Sequence, residues 1–171
     1  MDSENTFSRN SFSGVPATVA SEFKPTRLLP PTYLLASVVL MLTLHQFLPL
    51  RRIVEPPWTR LGAVPIVLGF AIVCVCAWQF RRRQTTLKPF EESAALVEAG
   101  CYRFSRNPIY VSMGMILVGV AWLLGTVTPW VVVPLFLAAI AQQFISHEEA
   151  MLAEKFGERY EQYRRRVRRW L

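Results

Sequence analysis

The chain has 171 residues, enough for one compact domain and not comfortably two. Only 18% of residues are charged and 52% are hydrophobic, with a mean hydropathy of +0.27, which is too apolar for the surface of a small soluble domain. The net charge of +7 comes from cations that flank apolar runs, so anionic lipid headgroups are the expected partner and nucleic acid is not.

Residues 1–27 are rich in Ser, Thr and Asn and carry Asp2 and Glu4. They lack the basic start and apolar core of a secretory signal, and their composition is that of a disordered cytoplasmic tail. One membrane domain over 28–171 follows, with apolar runs at 29–50, 61–80, 110–124 and 129–145. A helix crossing the hydrocarbon core needs ~20 apolar residues and rarely fewer than ~17, so the last two runs are short. Their linker, Gly125-Thr126-Val127-Thr128, has no charge, which predicts a tight helical hairpin with Trp122 and Trp130 as interfacial anchors. The fold class expected is all-α: a polytopic membrane protein with four transmembrane helices and a C-terminal amphipathic helix.

Charge sets the orientation. Arg81 to Arg83, Lys88, Arg103 and Arg106 lie between runs two and three. Lys155, Arg159, Arg164 to Arg166, Arg168 and Arg169 follow run four. Four spans place both groups on one side, which the positive-inside rule makes cytoplasmic. The linker bearing Arg51, Arg52 and Arg60 then falls outside, against the bias. Cys74, Cys76 and Cys101 have no metal-type spacing, and an odd count gives no disulfide framework.

Chemistry is left to two polar segments, 84–110 and 146–171. In the first, Arg106-Asn107-Pro108-Ile109-Tyr110 stands at the mouth of the third run. Proline there suits the first turn of a helix, whose free N–H groups and positive dipole end face the cytoplasm. Such a place can hold a carboxylate or an adenosine group, or it can be an ordinary interfacial helix start with a snorkelling Arg. In the second segment Glu148 and Glu149 follow the fourth run at once. They read either as an anion for a cationic ligand or as a solvated pair of acids. Beyond them Leu152, Phe156, Tyr160, Tyr163, Val167 and Trp170 recur at helical steps, interrupted by Gly157. That stripe either anchors on lipid or closes over a pocket.

These two segments resemble the isoprenylcysteine carboxyl methyltransferase / phospholipid N-methyltransferase superfamily of integral-membrane enzymes. The first resembling stretch is Leu96-Val97-Glu98-Ala99-Gly100-Cys101-Tyr102-Arg103-Phe104-Ser105-Arg106-Asn107-Pro108-Ile109-Tyr110. The second is Glu148-Glu149-Ala150-Met151-Leu152, then Phe156-Gly157-Glu158-Arg159-Tyr160, Tyr163, Val167, Arg169 and Trp170. The resemblance implies S-adenosylmethionine as methyl donor, bound from the cytosol in a multi-pass protein of a bacterial inner membrane with both termini cytoplasmic. It implies a donor pocket lined by Ala94, Ala95, Leu96, Val97, Tyr102, Asn107, Pro108, Ile109, Tyr110 and Glu148, with Arg106, Asn107 and Tyr110 at the reaction. No metal is implied. The methyl acceptor would be a small molecule or a lipid. The isoprenylcysteine branch has a substrate-contacting Arg where this chain has Phe144, so a prenylcysteine carboxylate is disfavoured. Among other acceptors, no dedicated base stands out for an amine, which points to an anionic one. Phospholipid amine or thiol methylation is the alternative within the superfamily, and a non-catalytic membrane scaffold is the alternative outside it.

Overall fold

The computed structural model describes residues 29–82 and 99–171, and every regular element among them is helical. The tail expected at 1–27 and the pocket residues Ala94 to Val97 lie outside the described residues.

Helix α1 is Pro30–Phe47. Its prolines occupy the first turn, where no intrahelical N–H partner is lost, and the Thr32 hydroxyl donates to the Leu29 carbonyl at 2.6 Å. A 3-10 turn, Trp58–Gly62, runs straight into α2, Ala63–Arg82. Helix α3 is Pro108–Leu124 and stops at Gly125, whose φ of 71° is left-handed and open to glycine without strain. A second 3-10 turn, Thr128–Val131, leads into α4, Val132–Ile140. A π turn, Ala141–Ile145, carries the same helix on into α5, Ser146–Phe156. Helix α6, Glu158–Arg166, follows Gly157.

Two helical stretches are long and apolar enough to cross a membrane: Trp58–Gln79 with 22 residues and Thr128–Phe156 with 29. Helix α3 is apolar but shorter, at 17 residues. A single amphipathic helix beyond 145 is not what forms, and this corrects the expected boundary. No breaker separates Ile145 from Ser146, so α5 continues the same helical stretch. The break comes at Gly157, at φ 51° and ψ −126°. A Cβ there would meet nothing within 4 Å, so this glycine makes an open bend rather than a close contact.

Helix α3 is the centre of the bundle. On one side it packs, through small residues, on α2 and on the 3-10 turn that leads into it. A Cβ on Gly62 would lie 2.5 Å from the Gly119 carbonyl oxygen, and one on Gly119 would lie 2.5 Å from the Gly62 oxygen. Such backbone contact is how apolar helices gain packing energy where lipid removes the hydrophobic drive. On its other side Met113, Leu117 and Ala121 meet Met41 of α1 and Val133, Phe136 and Ile140 of α4.

Opposite the motif end, the chain after α1 covers the hairpin turn. Ile53 N–H donates to the Gly125 carbonyl at 2.8 Å, and Val127 N–H to the Arg51 carbonyl at 3.0 Å. His45 Nδ1 and Thr126 Oγ1 are 2.9 Å apart, and Thr126 is buried. Trp122 donates to the Trp58 carbonyl at 3.0 Å and meets Trp130 edge to face, so both rings pin the loop together.

Candidate active site

Two motif segments meet where α3 begins and where α4 has passed through its π turn into α5. Pro108 starts α3 from Asn107, and no side chain caps that end. Tyr110 lies in the first turn and points to α5. Its hydroxyl donates to Glu148 Oε1 at 2.7 Å. That short bond to a carboxylate is of the charge-assisted class. Tyr102, in the 3-10 turn Gly100–Arg103, lies close enough to Glu148 to interact electrostatically. Burial pushes the Tyr102 phenol well above its ordinary pKa, so it stays neutral at physiological pH.

Glu149 makes a second rung beside the first. Arg106 Nη1 reaches Glu149 Oε1 at 3.1 Å. Arg169, from the C-terminal tail, grips the same carboxylate with Nε at 3.1 Å and Nη2 at 2.6 Å. These bonds hold the Arg169 guanidinium above its ordinary pKa. The side chains of Arg106 and Glu149 are only 10% and 13% exposed. Glu149 is therefore no solvated acid, which rules against Glu148 and Glu149 as a solvated pair. Arg106 Nη1 also lies 3.4 Å from the Tyr160 hydroxyl, and its Nε is buried with no partner among the described residues.

Sequence reasoning named Arg106, Asn107 and Tyr110 for the reaction. The structure joins Tyr110 to Glu148 with Tyr102 nearby, whereas Arg106 engages Glu149 and Asn107 the Arg169 carbonyl. Asn107 is buried and its amide Nδ2 donates to the Arg169 carbonyl at 3.0 Å. Pro108 is buried in the first turn of α3, and Ile109 packs toward the core. Sequence reasoning missed the roles of Glu149 and Arg169, although both stand inside the quoted motif. It also missed Tyr33 of α1, whose ring meets Phe144 edge-on at 5.4 Å, while Phe144 lies 6.4 Å from Tyr110.

The tail closes this end of the molecule. Arg106 N–H donates to the Arg168 carbonyl at 3.0 Å, and the Ser105 hydroxyl to the Arg169 carbonyl at 3.2 Å. Tyr163, buried with Tyr160 and Val167, donates to the Tyr102 carbonyl at 2.7 Å. Trp170 packs against the core cluster of α1, α3 and α4. The C-terminal stripe thus packs on the Tyr102 segment and on the helix core. A cleft of about 190 Å³ beside α2 is lined, among the described residues, by Trp78, Gln79, Arg82 and Ala99, none of them an expected site residue.

The phospholipid methyltransferase family model matches residues 57–159. An uncharacterized protein of Haemophilus influenzae is 40% identical over 63 residues, which is 37% of this chain and the whole of that protein. The protein-S-isoprenylcysteine O-methyltransferase of Schizosaccharomyces pombe is 39% identical over 72 residues, 42% of this chain but only 30% of that protein. No solved structure matches the chain. With more than half of its length matched, including the α3 start and Glu148 and Glu149 of α5, the chain belongs to the phospholipid methyltransferase family.

Proposed function

We propose that the chain is a membrane methyltransferase that uses S-adenosylmethionine, with an acceptor that arrives from the bilayer or its cytoplasmic surface. The observation that carries this reading is the Tyr110–Glu148 hydrogen bond at 2.7 Å, made where the two motif segments converge. Bound S-adenosylmethionine would supply a methyl group activated on a sulfonium, and it would also present one ammonium and one carboxylate.

The residues present fit that group. Glu148 is held by a phenol and by no cation among the described residues, so its charge is available to an ammonium. The uncapped start of α3 suits a carboxylate, through free N–H groups and the helix dipole. Tyr102 and Tyr110 offer ring faces to adenine or to a sulfonium. Arg106 and Asn107, named for the reaction, are here positioning groups that hold the tail over the site. Methyl transfer is an in-line displacement, so this chain's work is to orient the reactants and exclude water.

For the acceptor, one observation favours an amine headgroup over the anion to which the lack of a dedicated base pointed. Arg106 and Arg169 are both engaged by Glu149, and Phe144 with Tyr33 makes the wall beside Tyr110 aromatic. Neither Arg106 nor Arg169 is therefore left to grip a carboxylate. Helix ends support a four-span topology with cytoplasmic termini: Arg81 and Arg82 close α2 at the end where α3 begins.

Incubating enriched membranes with methyl-labelled donor tests the reading. Label in the lipid fraction is expected. Label in protein or volatile fractions would move the acceptor to another class, and no donor binding by the purified chain would leave a scaffold.

A further inference from the structure

Glu148 and Glu149 are neighbours on the first turn of α5, yet they have opposite company. Glu149 receives both guanidinium groups of the site, from Arg106 and Arg169. Glu148 receives a neutral phenol. Glu148 and Glu149 are consecutive, so the two rungs leave adjacent positions of α5 for Tyr110 in the first turn of α3 and for Arg106 just before it. The Arg106 side chain is 10% exposed, and a guanidinium that deep must have an anion beside it. If Glu149 loses its charge, the next carboxylate along the same helix turn is Glu148.

We infer that Glu149 is a positioning residue that keeps Arg106 away from Glu148 and so preserves one uncompensated carboxylate for a ligand ammonium. The inference rests on the donor site proposed above and assigns a role to the second glutamate. A plain clamp, in which Glu149 only ties the tail to α3, is the competing account. The two separate because a clamp is indifferent to the ligand's charge, whereas sequestration of Arg106 acts only through Glu148 and the ammonium.

The test is calorimetry on the purified full-length protein with two ligands. One is S-adenosylhomocysteine, the product left when the donor has lost its methyl group. The other is its des-amino analogue, which has no ammonium. The parent should bind the amino ligand about 10-fold or more tighter, the worth of a charge-assisted contact. Glu149→Gln should erase that preference, while affinity for the des-amino ligand shifts by less than about 3-fold, the scatter of independent effects. Adding Arg106→Met to Glu149→Gln should restore the preference, because the displaced cation is gone. Equal losses for both ligands, or a double variant no better than Glu149→Gln, would overturn the inference and leave the clamp. If Glu149→Gln does not fold, the double variant is compared with Arg106→Met alone. Sequestration requires the same ligand preference in those two proteins, and a further loss on removing Glu149 refutes it. A parent protein that binds neither ligand would instead overturn the donor site itself.

Discussion

Replacing Glu148 with Gln isolates charge from shape. Gln keeps an oxygen that accepts the Tyr110 hydroxyl at the position now 2.7 Å away, so the rung between α3 and α5 survives. What disappears is the negative charge. A hydrogen bond to a charged group contributes about 1.5–3 kcal/mol, and each ~1.4 kcal/mol is tenfold in affinity. Donor affinity should therefore fall by about 10- to 150-fold, with thermal stability close to the parent's. Tyr110→Phe is the complementary change. It keeps the charge and the ring and leaves Glu148 short of one donor, so it should cost less in affinity and more in stability. Calorimetric titration with S-adenosylhomocysteine, paired with thermal unfolding in detergent, reads both quantities. Unchanged affinity in a folded Glu148→Gln protein would remove Glu148 from the donor site and sink the reasoning about the ammonium.

The other predictions follow from the same geometry. A chain ending at Arg166 keeps α6 but loses the Arg169–Glu149 ion pair, the backbone bonds to Ser105 and Arg106, and Trp170. It should insert into membranes and fail to bind donor, and full donor affinity in it would show the tail to be only an anchor. A cysteine at Val127, which is exposed, should react with an impermeant reagent from outside intact cells in a background without native cysteines, while one at Gln162 should react only after permeabilisation. Thr126 is the wrong probe, because it is buried against His45. Gly119→Val should separate α2 from α3 and cost roughly 1–3 kcal/mol, the usual range for overpacking, read as a lower melting temperature.

The helical cores were legible because apolar runs need no partner to be recognised. The run at 110–124 became Pro108–Leu124, and Pro108 and Gly125 mark its ends in the sequence for stated stereochemical reasons. The π turn at Ala141–Ile145 was not legible, since nothing in Ala-Gln-Gln-Phe-Ile departs from ordinary helix formers. Its wider turn shifts the register of all that follows, so the facings of Glu148 and Glu149 do not follow from counting at 3.6 residues per turn. The stripe from Leu152 to Trp170 was visible as periodicity. Its break at Gly157 was visible only as an oddity, because a glycine in a helical pattern signals a bend and close packing equally.

Partner choice was the least legible property of all. Two adjacent acids and two distant arginines allow several pairings, and sequence spacing weighs them alike. The fold decides among them by delivering Arg169 on the tail to the same carboxylate that already holds Arg106. Charge is thereby concentrated on Glu149 and withheld from Glu148. A site meant to bind a cation has to keep one carboxylate out of the ion-pair network in a region rich in arginine. The neutral phenol of Tyr110 fixes the position of Glu148 without neutralising it. On the proposed donor site, that arrangement gives a reason for a tyrosine rather than a cation in the first turn of α3, and for a second acid beside the first.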